Sequence, residues 1–161
     1  MRPEPAEPPS AAASCRRVER NLREMMQFFS RARDNGDVSF QSGLQLVSSG
    51  IDFSPFNSAM LAEPVDSADP RLFEDQLNAA AEYFRKRRER WSFWLCEEML
   101  PASLRRRARM MILSRHMRQT SEPPGMIAET ILPSRRTLPS DLGVLEVVDA
   151  KTRADFSGVA A

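Results

Sequence analysis

The sequence predicts an α/β domain, with α+β as the neighbouring alternative: a central mixed sheet flanked by helices. Three observations lead there. Stretches whose apolar residues recur at helical spacing alternate along the chain with short apolar runs of strand length. The breaks between them fall at punctuating pairs such as Asn35-Gly36, Glu63-Pro64 and Asp69-Pro70. The composition is that of an ordinary soluble domain, with 161 residues, 42% hydrophobic and 28% charged, which is enough chain for a single core.

Residues 1–14 carry Pro3, Pro5, Pro8 and Pro9 and no apolar period, so they are expected to form a disordered tail ahead of a domain spanning 15–161. Ser14 is the expected N-cap of a first helix over 15–34. Val18, Leu22, Met25, Met26 and Phe29 form its apolar stripe, and Gly36 suits a left-handed cap after its end. Residues 43–47 read as a strand, closed by Ser48-Ser49-Gly50, and 58–62 as a second. Asp69 and Pro70 open a second helix as N-cap and first residue. Leu72, Phe73, Leu77, Ala80, Ala81 and Phe84 are its buried stripe, and Arg85 to Arg88 close it at the negative end of its dipole.

The run 91–96, Trp-Ser-Phe-Trp-Leu-Cys, is apolar on both alternating faces, which predicts a central, covered strand. Trp91 and Trp94 are three apart and so point to opposite faces. Pro101 begins a third helix, with Leu104, Ala108, Met111, Ile112 and Met117 inward and Arg105, Arg106, Arg107, Arg109, Arg115 and Arg118 outward. Beyond it, 125–131 and 144–148 read as strands, 133–142 as a polar link, and 152–159 as the start of a helix.

Charge excludes broad classes of partner. Lys and Arg number 23 against 22 Asp and Glu, a formal net charge of +1, so no global field draws nucleic acid or an anionic membrane. The arginine-rich third helix lacks aromatic residues that would stack bases, and its apolar stripe is that of a helix packed on a core. No apolar run reaches the length of a membrane span.

Candidate chemistry is sparse. Cys15 and Cys96 are the two cysteines and His116 the one histidine. They give neither a disulfide framework nor the paired short spacing of a zinc site, and a reduced, cytoplasmic setting is expected. No metal ligands are assigned. Cys96 reads as a small buried hydrophobe and His116 as a helix-surface residue. Glu97 and Glu98 sit where a strand end meets a helix, a position from which a carboxylate can act as a general base. The plainer reading makes them solvated first-turn charges. No two of the six glycines lie close enough for a Walker or dinucleotide loop, so no cofactor-binding residue is assigned, and no catalytic one.

Beyond residue 20 a particular order of signals emerges. Ser49-Gly50 precedes Phe56-Asn57. A helix ending Ala81-Glu82-Tyr83-Phe84 is followed by Trp91-Ser92-Phe93-Trp94, the helix after Pro101, and Pro124-Gly125-Met126. Val147-Val148-Asp149 then leads through Thr152-Arg153 into a helix. This order resembles the N-terminal half of bacterial GNAT-superfamily N-acetyltransferases built as two GNAT-like halves. The resemblance spans about 140 residues. It implies an N-terminal, non-catalytic half that packs on its partner and shapes an acceptor cleft. Transfer of an acetyl group from acetyl-CoA to an amine then belongs to the other half. The acyl-CoA loop of that family, Gln/Arg-x-x-Gly-x-Gly/Ala, is absent, so acetyl-CoA is expected only for the intact enzyme. The expected partner is the C-terminal GNAT half, or another protein if this is a stand-alone interaction module. A chain cut off at its C-terminal end would leave Leu145, Val147 and Phe156 partly exposed and would favour self-association.

Overall fold

The computed structural model describes residues 10–123 and 148–152. The chain divides into two compact units, residues 1–127 and 128–161, and the sheet lies in the first. Its elements run α1 (Ala11–Arg31), β1 (Asp37–Gln41), β2 (Leu44–Ser48), β3 (Ser58–Leu61), α2 (Pro70–Arg87), β4 (Ser92–Trp94) and α3 (Ala102–Leu113). Short 3-10 turns at Ser54–Phe56 and Glu97–Met99 lead into β3 and α3. The expected mixed α/β class is what this order builds.

The sheet has the order β1-β2-β3-β4. The first three strands are antiparallel neighbours, and β4 joins β3 in parallel through the α2 crossover. Parallel neighbours need such a crossover, because a tight turn cannot reverse the chain twice. Between β1 and β2 the chain turns on Ser42 and Gly43 alone, with Gln41 opposite Leu44. Both turn residues have positive φ, 53° and 73°, the condition for a two-residue turn whose twist matches that of the strands.

β2 is the middle of the core, with all five of its residues buried. Period-two alternation sends Leu44 and Leu46 to one face and Val47 to the other. The first face meets Phe73, Leu77, Ala80 and Phe84 of α2 and Leu104 and Ala108 of α3, in the main apolar cluster. The second face meets α1 through Leu22 and Met26, joined by Met60 and Trp94. Trp91 stacks on Phe84, with ring centres 5.1 Å apart, while Trp94 lies in the α1 cluster. The two tryptophans therefore serve opposite faces, as their spacing predicts.

Several sequence expectations need correction. α1 begins at Ala11, four residues early, because Ser10 is the cap: its Oγ accepts from the Ala13 N–H at 3.2 Å. Residues 11–14 thus belong to the helix and not to the tail. β1 was not expected at all, since only Val38 and Phe40 of its five residues are apolar. The 91–96 run yields only three strand residues. Among the described residues β4 is an edge and not a central strand. Its two apolar faces reflect helices on both sides of the sheet. The second helix starts on Asp69 and Pro70 as read, with the Asp69 carboxylate accepting from Arg71 N–H at 2.9 Å. It ends on Arg88 in the left-handed region. α3 stops at Leu113, short of Met117.

The strand at 125–131, the link at 133–142, residues 144–147 and residues 153–159 lie outside the described residues, and with them Leu145, Val147 and Phe156. In the second unit, residues 150–152 are helical. Asp149 Oδ1 accepts from the Thr152 N–H at 2.7 Å, the capping role at a helix start.

Gly36 is not a left-handed cap: α1 is capped by Ala32, and positive φ among the described glycines is confined to Gly43 and Gly50. Its role is close approach. A Cβ there would lie 1.9 Å from the Ser30 carbonyl oxygen, a contact that only backbone movement relieves. Gly36→Ala is expected to cost about 2–3 kcal/mol, read as a lower urea midpoint. Arg106→Ala, on the exposed face of α3, stays within about 0.5 kcal/mol. Equal midpoints for the two variants would contradict this packing.

Candidate functional site

The helix that covers the second sheet face presents polar groups inward. Arg23, Gln27, Ser30 and Arg33 follow one another at helical spacing and all reach the sheet or its loops. Arg23 donates to the Leu61 carbonyl at 2.7 Å and Gln27 to Gln45 Oε1 at 2.8 Å. Ser30 Oγ donates to the Ser48 carbonyl at 2.7 Å, and Arg33 Nε to that of Ser49 at 2.9 Å. Gln45 completes the seam by donating to the Arg23 carbonyl at 3.0 Å. A buried polar group left unpaired costs about 1–3 kcal/mol, so this seam fixes which side of α1 faces the sheet.

The expected apolar stripe is split as a result. Leu22 and Met26 pack inward, whereas Met25, Phe28 and Phe29 are 41%, 70% and 47% exposed. Phe28 meets Phe29 edge-on with ring centres at 6.2 Å, and Phe29 reaches the loop before β3. Phe29 approaches Phe56 with ring centres at 6.2 Å, and Phe56 meets Phe53 edge-on at 5.4 Å. Ile51 is also exposed. The result is a surface of four phenylalanines, with exposed Met25 on the same helix and exposed Ile51 on the same loop.

The loop is held from below. Asn57, fully buried, accepts from the Ser49 N–H and Oγ at 2.9 and 3.0 Å. It donates to the carbonyls of Ile51 and Arg90 at 2.7 and 3.0 Å. All the hydrogen-bonding capacity of its amide is used. Arg90 also grips Asp52, from its backbone N–H and its Nε, both at 3.1 Å, and these bonds hold the Asp52 carboxyl below the usual range. The aromatic surface is thus preorganised, which reduces the ordering cost of binding. The signal missed in the sequence is the doubling of Phe28 with Phe29 and the Phe53–Phe56 pair around Pro55. One helix face and one short loop cannot bury so many rings.

The other candidate residues are not brought together with this surface. Glu97 pairs with Arg109 at 2.9 Å and Glu98 with Arg105 at 3.0 Å, so both tie the turn after β4 to α3. Arg115 reaches Asn78 at 2.9 Å, linking the end of α3 to α2. His116 is exposed in the turn that ends α3, with φ of 60°. Cys96 is only half-buried, and burial together with a hydrogen bond to Cys15 pushes its thiol up to about 12.

The α2 start, at the parallel β3–β4 junction, is where a helix dipole would attract a phosphate. Here that end carries Glu63, Asp66 and Asp69 with Pro64 and Pro70. The Arg71 N–H is already taken by Asp69, and prolines donate nothing. A pyrophosphate meets carboxylates instead of free amides. An open groove of about 390 Å³ between β1 and α2 is lined by Asp37, Glu82, Tyr83, Lys86 and Arg87 among others. Its charges are mutually engaged: Tyr83 donates to Asp37 at 2.7 Å, and Arg87 pairs with Asp37. Among the described residues no group of three His, Cys, Asp or Glu is placed to hold a metal. No described helix is long and apolar enough to cross a membrane.

Compared with known protein families, curated proteins and solved structures, the chain matches none.

α1 itself carries a buried acid. Glu19 is 7% exposed, and its Oε1 has no hydrogen-bond partner. Burial raises its pKa above 4.5, and the nearby Arg23 charge offsets part of that rise. Below pH 4.5 both folded and unfolded chains hold this proton, and no penalty arises. As pH rises past that value the unfolded chain ionises first, so Glu19 removes stability. Glu19→Gln is therefore expected to raise the urea midpoint at pH 7 and to leave it unchanged near pH 4. A gain of equal size at both values would show that ionisation is not the cause.

Proposed function

We propose that this chain is a non-catalytic, protein-docking half domain whose binding surface is formed by Phe28, Phe29, Phe53 and Phe56. The observation that carries the reading is the exposure of these rings on a loop and helix that are rigidly held. Contiguous apolar surface of this kind on a soluble domain marks an interface, and aromatic residues are the ones that dominate interface energetics.

The resemblance to the first half of two-part GNAT N-acetyltransferases supplies the partner: a second, GNAT-like half that binds acetyl-CoA and transfers the acetyl group to an amine. The mixed sheet with helices on both faces accords with that half domain. The carboxylates and prolines at the α2 start support assigning the cofactor to the partner. The alternative, a stand-alone interaction module, uses the same surface with a different protein.

Two measurements test the reading. Titration calorimetry with acetyl-CoA is expected to show no saturable heat. A Kd near about 1 μM, or about −8 kcal/mol, overturns the assignment of the cofactor to the partner. In sedimentation, the isolated chain is expected to self-associate as concentration rises. The Phe28→Ser, Phe53→Ser double variant should remain monomeric, with its folding stability within about 0.5 kcal/mol of the parent. A parent that stays monomeric throughout, or a double variant that associates as strongly, removes this surface from consideration.

A further inference from the structure

α3 carries more arginine than its packing uses. Arg105 pairs with Glu98, Arg109 with Glu97 and Arg115 with Glu74, which holds the helix to the turn before it and to α2. Arg106 and Arg107 are exposed, and among the described residues neither has an ion-pair or hydrogen-bond partner. Beside them Met110 is 60% exposed and Leu113 45%, whereas Leu104 and Ala108 of the same helix are buried. Arg106, Met110 and Leu113 follow at i, i+4 and i+7, the spacing of one ridge along a helix. Arg107 stands about 100° further round the axis. Single apolar residues are ordinary on a surface, but here two neighbour each other on a ridge that also bears unpaired cations. We propose that the outer face of α3 docks a helix of a partner protein that carries carboxylates beside an apolar stripe.

Charge complementarity names the occupant. A free guanidinium offers a planar fork of donors that matches a carboxylate. The whole chain has a formal net charge of +1, so the attraction comes from this patch and not from the molecule at large. Shape points the same way, since a ridge of side chains seats in the groove between the rows of another helix. The 12 residues of α3 span about 18 Å, room for roughly three turns of a partner helix. Nucleic acid fits less well, because the face has no aromatic residue to stack on bases and only two free cations for phosphates. A lipid surface asks for a broad apolar face, and α3 has already committed Leu104 and Ala108 to the core.

α3 lies on the Leu44 and Leu46 side of the sheet, and α1 with Phe28 and Phe29 lies on the other. The α3 face therefore stands whether or not the phenylalanines bind a partner. With both faces occupied, the domain joins two proteins across its sheet.

The test pans the full-length chain against a display library of helix-forming peptides of about 16 residues, long enough to match α3. The enriched peptides are expected to carry Glu or Asp beside Leu, Ile or Met repeated at i, i+4 and i+7. Synthetic copies are then followed by fluorescence anisotropy. The Arg106→Glu, Arg107→Glu double variant and the Met110→Ser variant should each bind about tenfold more weakly, the loss of one charge-assisted hydrogen bond or one buried side chain. Their urea midpoints should stay near the parent's, and Phe53→Ser should bind as the parent does. On the parent, added peptide should shift the amide resonances of residues 103–114. No enrichment, a neutral or basic consensus, binding indifferent to the charge reversal, or binding lost with Phe53→Ser would each overturn the proposal. Phosphatidylserine vesicles are the second probe: vesicle binding that falls on the same reversal, with no acidic peptide enriched, assigns the face to lipid and overturns it too. Because the resonance shifts are read on the parent, a variant that fails to fold does not obscure the answer.

Discussion

Everything in this domain is arranged around a strand that has no exposed side. β2 buries all five of its residues, so each of its side chains needs a neighbour above or below the sheet. Leucines on one face find α2 and α3. The other face holds Gln45, whose amide must be paired where water does not reach. Gln27 and the Arg23 carbonyl satisfy it, and in doing so they fix the rotation of α1. The rest of α1 follows from that rotation: what faces the sheet is chosen by hydrogen bonding, and the surplus of apolar residues is left outside.

That sequence of causes explains an otherwise odd distribution of rings. Exposing a phenylalanine forgoes a burial gain of about 1.5–3 kcal/mol. Leaving the β2 amide and the strand-end carbonyls without partners would cost comparable amounts several times over. Rotating α1 to bury Phe28 would break the contacts of Arg23, Gln27, Ser30 and Arg33 together. The same orientation packs α1 against the 3-10 turn after β4.

What the sequence made legible were features decided locally. Asp69 followed by Pro70 announces a helix start from two residues, and the structure places it there. The short apolar run at Ser58–Leu61 and the Leu104–Ala108 spacing likewise reflect burial that each element carries by itself. Features set by tertiary partners were not legible. β1 is mostly polar and is held by backbone pairing to β2. The run at Trp91 looked central because both its faces are apolar, yet coverage by helices on each side produces that pattern at an edge as well. In α1, periodicity revealed an apolar stripe without saying which way it points. Ser10 outranked Ser14 as cap, although both were available. The convergence of Asn57 with Ser49, Ile51 and Arg90 left no pattern at all, since its three partner residues are scattered over 42 positions.

The parallel pairing of β3 with β4 has a consequence for how the chain assembles. β1, β2 and β3 are joined by short connections, the first of only two residues, so their contacts close small loops at small entropic cost. β4 pairs with residues 34 positions earlier, Ser92 beside Ser58, and must wait until α2 spans the gap. The two bonds that Asn57 makes across that gap, its side-chain amide donating to the Arg90 carbonyl and its backbone carbonyl accepting from the Ser92 N–H at 2.9 Å, therefore behave as a late clasp. The meander is the nucleus on which it shuts, and strain that opens the clasp releases β4 and α3 before it disturbs β1 and β2.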